Sequence, residues 1–206
     1  MLRALFPIAM LCAAPVFDAA AQTQLQSVCV VLTVEGDARV SASGAGSRPA
    51  EAGLGLGRNA WLRTGEGARA TLRCDGDLRV VVGPEAHFAV LRILDEAPST
   101  VRLQLLRGIA GFIFGAGSGE AEAEVQVRTP SAVAAVRSTE WAMRVTGGAS
   151  AVFAREGDVF VFGETGSARL GPGDGVDVTA EGTLGAVVRW GQPRIDLFSE
   201  LLGPDW

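Results

Sequence analysis

Arg137 and Glu140 are the charges in this 206-residue chain placed most suggestively for a task. They stand close together in Thr129-Pro130-Ser131-Ala132-Val133-Ala134-Ala135-Val136-Arg137-Ser138-Thr139-Glu140-Trp141, a stretch otherwise made largely of apolar and small side chains. At that spacing a guanidinium and a carboxylate can meet as a fork-shaped, hydrogen-bonded pair. A buried pair would clamp strand register, and an exposed one would present a charged patch to a partner. The clamp reading predicts that Arg137→Ala costs about 2–4 kcal/mol, because it leaves a buried charge unpaired.

Other candidate chemistry is sparse. The 18 basic residues are all arginine, which excludes lysine Schiff-base chemistry and a phosphate-loop lysine. Tyrosine is absent and His87 is the single histidine, so few groups could exchange protons near neutral pH. A Ser–His–Asp site would have to use His87, which sits beside Phe88 in a strand-like run and reads as a structural residue. One histidine and distant cysteines do not supply zinc spacing. Asp75 with Asp77 and Asp174 with Asp177 hint at calcium, but both pairs read more simply as turns. No cofactor is expected. The net charge of -5 argues against nucleic acid as a partner.

The elements that position these residues are short strands. Ala68, Ala70 and Leu72 alternate with Arg69, Thr71 and Arg73, the half-buried strand pattern. Asp75-Gly76 predicts a two-residue hairpin turn, and Val101-Arg102-Leu103-Gln104-Leu105 alternates before Arg107-Gly108 leads into residues 109–114. Glu35-Gly36-Asp37 recurs as Glu156-Gly157-Asp158, each flanked by valine-bearing strands. Strand candidates recur every ~8–12 residues, which predicts an all-β core of two packed sheets or a solenoid-like stack of short strands and hairpins. Near the end, Pro193 suits a first helical turn, and Ile195, Phe198, Leu201 and Leu202 share a helical face. Gly203-Pro204 stops that short helix, which either packs on the sheets or is offered to a partner groove.

Within the opening stretch, Pro130 belongs at a strand start or edge, since it cannot donate to a ladder. Trp141, Met143 and Val145 share one strand face, with Ala142 and Arg144 on the other. Val133 and Val136 cannot share a face of a regular strand. Either one valine points away or the phase slips before Trp141, and a bulge near Arg137-Ser138 would supply the slip.

Arg3, the apolar residues 4–16 and Ala19-Ala20-Ala21 read as a signal peptide over 1–21, cleaved before Gln22. Its apolar run of roughly 13 residues is short of the ~20 a spanning helix needs, so no span is expected after cleavage. Cys29 and Cys74 then remain in an oxidising compartment, compatible with one disulfide or with two buried thiols too distant to bridge.

Residues 129–141 resemble the hallmark of the FecR-type periplasmic domain, close to T-P-x-A-V-A-A-V-R-G-T-E-[FW]. Further resemblance runs through Arg63-Thr64-Gly65-Glu66-Gly67-Ala68-Arg69-Ala70-Thr71-Leu72, Val82-Gly83-Pro84-Glu85-Ala86 and Glu156-Gly157-Asp158-Val159, and spans about residues 38–178. Ser138 stands where the family has glycine. If that site needs positive φ, serine adds strain of about 1 kcal/mol or more. The motif residues are Thr129, Pro130, Val133, Val136, Arg137, Thr139, Glu140 and Trp141. The chain is expected to divide into residues 22–186, a FecR-like all-β domain, and 187–206, a segment with the short amphipathic helix. Ferric-citrate-type members carry a cytoplasmic anti-sigma segment, one spanning helix and a periplasmic part that hears an outer-membrane receptor. This sequence shows neither segment nor span, so a direct sigma-regulating role is not expected to transfer. The expectation is an exported, non-enzymatic, periplasmic or secreted module that binds, scaffolds or relays signals to an envelope protein. The alternatives are a carboxylate-dependent hydrolase acting on glycan and an accessory regulator of cell-surface signalling to a sigma-factor system.

Overall fold

A computed structural model describes residues 27–42, 46–91, 100–115, 124–137 and 139–206. The expected signal peptide and Ser138 lie outside them. Alternating residues build two facing sheets. Sheet A runs in the order β4 (Gly55–Leu56), β1 (Cys29–Glu35), β6 (Arg69–Cys74), β7 (Leu78–Val82), β9 (Thr100–Phe114), β12 (Glu140–Thr146), β13 (Ala149–Glu156), β16 (Asp174–Val178) and β17 (Val188–Arg189). Sheet B runs β3 (Arg48–Pro49), β2 (Ala38–Ser41), β5 (Ala60–Thr64), β8 (His87–Leu91), β9, β10 (Glu124–Arg128), β11 (Val133–Val136), β14 (Val159–Gly163) and β15 (Gly166–Leu170). The β9–β10 pairing is parallel, and the others are antiparallel. The architecture is therefore two packed sheets rather than a solenoid.

Strand β9 joins the layers. Its first half pairs with β8 and β10 in sheet B, and its second half pairs with β7 and β12 in sheet A. The crossing falls at Gly108, where φ is 83° and a Cβ would stand 2.4 Å from the backbone of Ala86. Only glycine fits there. The two Glu-Gly-Asp turns share one job: each carries the chain from sheet A to sheet B, β1 to β2 and β13 to β14. Gly36 and Gly157 have nearly the same φ, 77° and 71°.

Between the sheets lies one continuous apolar core, with Leu72, Val80, Phe112, Trp141 and Met143 of sheet A against Leu62, Phe88, Leu103, Val127 and Val161 of sheet B. Cys29 and Cys74 face each other across β1 and β6 and form a disulfide. The Asp75-Gly76 turn differs from its expected form. Residues 75–77 make a single 3-10 turn closed by the Cys74–Leu78 pair, and the positive φ of 58° belongs to Asp77. A three-residue hairpin places its left-handed residue last, which explains the shift from Gly76.

The outer face of sheet A is covered by α1 (Gln192–Leu202). Phe198 and Leu202 are buried there with Val81, Ile109, Ala142 and Phe153, and Ile195 and Leu201 pack alongside. Trp190 stacks on Phe153 at 5.0 Å and meets Phe198 edge-on at 4.9 Å. Arg69 donates from Nε to Leu201 O at 3.0 Å and from Nη2 to Glu200 O at 2.9 Å, satisfying carbonyls that the last helical turn leaves open. The helix is thus packed onto the sheet rather than offered to a partner. No helix among the described residues is long and apolar enough to cross a membrane.

Candidate functional site

The opening stretch divides into three parts. Thr129, Pro130, Ser131 and Ala132 form the turn between β10 and β11. Thr129 N donates to Ala132 O at 2.8 Å, and Ala132 N donates to Thr129 Oγ1 at 2.9 Å. Thr129 Oγ1 also donates to Ala132 O at 3.0 Å and accepts from Ser150 Oγ at 2.8 Å. With its one proton so used, Ser150 accepts from Ser131 across 2.7 Å. These hydroxyls are buried, so the network ties the β10–β11 turn in sheet B to β13 in sheet A. Thr129→Val is expected to destabilise the protein by about 2–3 kcal/mol, because it strands buried donors. Urea unfolding checks this, and Thr129→Ser should recover most of the loss.

Along β11, Ala134 and Val136 enter the core while Val133 and Ala135 face outward. One valine therefore points away. The phase break before Trp141 coincides with a change of sheet: the chain leaves sheet B after Val136 and enters sheet A at Glu140. The bulge expected at Arg137-Ser138 involves Ser138, outside the described residues. Buried Thr139 pins the crossing by donating to Asp158 O at 3.1 Å and accepting from Phe114 N at 3.1 Å. A bulge does occur nearby, on the neighbouring strand. Glu140 pairs with Glu156 and Trp141 with Ala154, which leaves Arg155 as the extra residue.

The expected buried Arg137–Glu140 clamp is therefore not what this fold builds. Arg137 is exposed, and Glu140 is half-buried with Arg155 Nε 3.9 Å from its carboxylate. The sheet change explains the difference, because it sends the two side chains to different layers. Arg137→Ala is now expected to change stability by less than about 1 kcal/mol, as for other exposed charges. Thermal unfolding of the variant checks it, and a loss of the size first expected would restore the clamp.

Arg137 instead borders a cleft of about 580 Å³ on the outer face of sheet B, shared with Glu124, Thr139, Asp158, Phe160 and Phe162. Phe160 and Phe162 are 46% and 47% exposed. They stand opposite Ala135 and Val133 in the β11–β14 ladder, forming an apolar strip on a face that the C-terminal helix does not cover. Asp158 accepts from Arg169 Nε and Nη2 at 3.1 and 2.7 Å, and these bonds hold its carboxyl below its ordinary pKa. The Arg169 guanidinium lies 5.9 Å from the Phe160 ring. Glu124 accepts from Gln126 Nε2 at 2.6 Å.

The aromatic pair was missing from the sequence-level candidates. The signal was present in Val159-Phe160-Val161-Phe162, where a half-buried strand should alternate apolar with polar and instead is apolar on both faces. The remaining candidates have local roles. His87 lies 4.4 Å from Trp61, and burial, then Arg63 and Arg107, keep its pKa below the ordinary imidazole value. Asp174 accepts from Gly171 N at 3.1 Å within a turn, and Asp177 pairs with Arg194 on the helix.

Residues 60–160 match the model of the FecR protein family. The chain carries a FecR domain. The match begins at β5, spans the whole sheet-changing stretch and ends at Phe160 in the cleft. FecR domains are envelope-associated, and the match supports a signalling-related role. Two crystal structures of a protein from Parabacteroides distasonis, described as a "putative anti-sigma factor", share the fold with a TM-score of 0.54 and 16% identity. The alignment covers 65% of this chain and 61% of that one, so the FecR chain spans less than two thirds of its neighbour's length. No curated protein matches the chain.

Proposed function

We propose that this FecR-domain protein is exported and acts in the periplasm as a non-enzymatic binding and signal-relay module. Its contact surface is the Phe160–Phe162 strip with the adjoining Arg137 cleft. The observation that carries this reading is the pair of half-exposed phenylalanines on an open sheet face, rimmed by charged groups. The Cys29–Cys74 disulfide supports an oxidising compartment. The cleft's carboxylates, Glu124 and Asp158, are engaged by Gln126 and Arg169, which supports a binding surface over a hydrolase.

The test is affinity capture from a periplasmic fraction with the wild-type domain and with Phe160→Asp/Phe162→Asp. The wild type should retain an envelope protein that the double variant loses by at least about thirtyfold, the weight of one binding hot spot, with unfolding unchanged. Equal retention by both proteins would remove the strip from the interface.

The fold shared with the anti-sigma factor favours a second reading, in which the module is an accessory regulator of a sigma-factor system. Deleting the gene should then change expression from a promoter dependent on that factor. An unchanged promoter would leave relay to another envelope protein as the function.

A further inference from the structure

Among the described residues, three of the four sheet edges are short. The terminal strands β3, β4 and β17 have two residues each, and β3 contains Pro49. The fourth edge, β15, is five residues long with the sequence Gly-Ser-Ala-Arg-Leu, and among the described residues it pairs only with β14. Natural sheets guard such edges with proline, charged side chains or a covering segment, because open backbone groups recruit another strand. Here the single charge, Arg169, is neutralised within the chain by Asp158.

The register identifies what suits this edge. Glu164 and Thr165 form a two-residue connection closed by the Gly163–Gly166 pair. Such a closing pair exchanges hydrogen bonds, so the Val161–Ala168 and Val159–Leu170 pairs do too. The N–H and C=O groups of Ser167 and Arg169 therefore point outward from the sheet. Two antiparallel copies of β15 centred on Ala168 would place Ser167 of one copy opposite Arg169 of the other. That arrangement forms about four backbone hydrogen bonds and leaves no outward group of these residues unused. At the centre, Ala168, half-buried at the rim of the core, would be covered by its symmetry mate, with a Ser167–Arg169 pair on either side. The opposite sheet ends on the same side at β17, where Val187 and Val188 are 41% and 50% exposed.

We infer that two copies of this chain associate through their β15 edges, antiparallel about Ala168, and extend sheet B across a twofold axis. This pairing uses the strand edge and leaves the outer face with Phe160 and Phe162 open, so it stands or falls separately from the proposed partner site.

Sedimentation equilibrium of the oxidised protein up to about 100 µM tests the association, since a dimer with Kd of about 10 µM is mostly assembled there. Ser167→Pro removes an outward donor without touching the β14 ladder, and it should weaken the dimer by at least about tenfold with unfolding unchanged. Ala168→Cys should form a covalent dimer on oxidation, because facing residues of a non-hydrogen-bonded pair lie about 4.5 Å apart between Cα atoms. Ser167→Cys should not, since it faces Arg169 of the second copy. A monomer at all concentrations overturns the inference. So does a dimer that ignores Ser167→Pro, or one in which Ala168→Cys crosslinks no faster than Ser167→Cys.

Discussion

Trp141→Ala is expected to destabilise the FecR domain by about 3–5 kcal/mol, the cost of removing a large aromatic from a closed core. Trp141 is fully buried and stacks on Phe112 with ring centroids 4.7 Å apart and planes 16° from parallel. The two residues are also cross-strand neighbours in the β9–β12 ladder, at the first core position after the chain changes sheets. Loss of the indole therefore removes both a packed volume and the contact that fixes where β12 starts. Trp141→Phe should cost less, because ring stacking survives and the indole N–H has no hydrogen-bond partner among the described residues. Urea unfolding of the three proteins distinguishes these contributions. A loss below about 1 kcal/mol for the alanine variant would place the anchor of the sheet change elsewhere.

Removing the disulfide has an expected cost of similar size. Cys29 and Cys74 are separated by 45 positions, and a covalent loop of that length limits the unfolded chain by about 4 kcal/mol in the chain-entropy account. The bridge holds β1 against β6, so it ties the first described strand to the family-matched region. Cys29→Ser/Cys74→Ser should lower the melting temperature by about 10 °C, given roughly 2–4 °C per kcal/mol for a domain of this size. Reductant should do the same to the wild type and nothing further to the variant. An unchanged melting temperature with both thiols titratable would show that the β1–β6 ladder suffices by itself.

Much of the sheet content was legible because half-buried strands write their alternation into the sequence. Ala68, Ala70 and Leu72 read correctly as one inward face, and the tail's Ile195, Phe198, Leu201 and Leu202 read correctly as one helical face. The sheet change after Val136 was not legible. A change of layer and a bulge both appear in sequence as a broken period, and only the partners of each strand separate them. The same limit applies to β9, whose two halves alternate well while Gly108 hides the transfer between sheets. The parallel pairing of β9 with β10 depends on distant segments and leaves no local signature. The cleft was half-legible. Arg137 stood out as a charge among apolar residues, whereas its aromatic neighbours come from β14 and meet it only after β11 and β14 pair.

The open outer face of sheet B is the proposed working surface of this FecR domain. Site-specific photocrosslinking in living cells tests it most directly, with a benzophenone amino acid replacing Phe160 in one strain and Arg73, on the outer side of β6, in another. A discrete adduct with one envelope protein is expected from position 160 and none from position 73. Adducts from position 73 alone, or the same adduct from both, would contradict it.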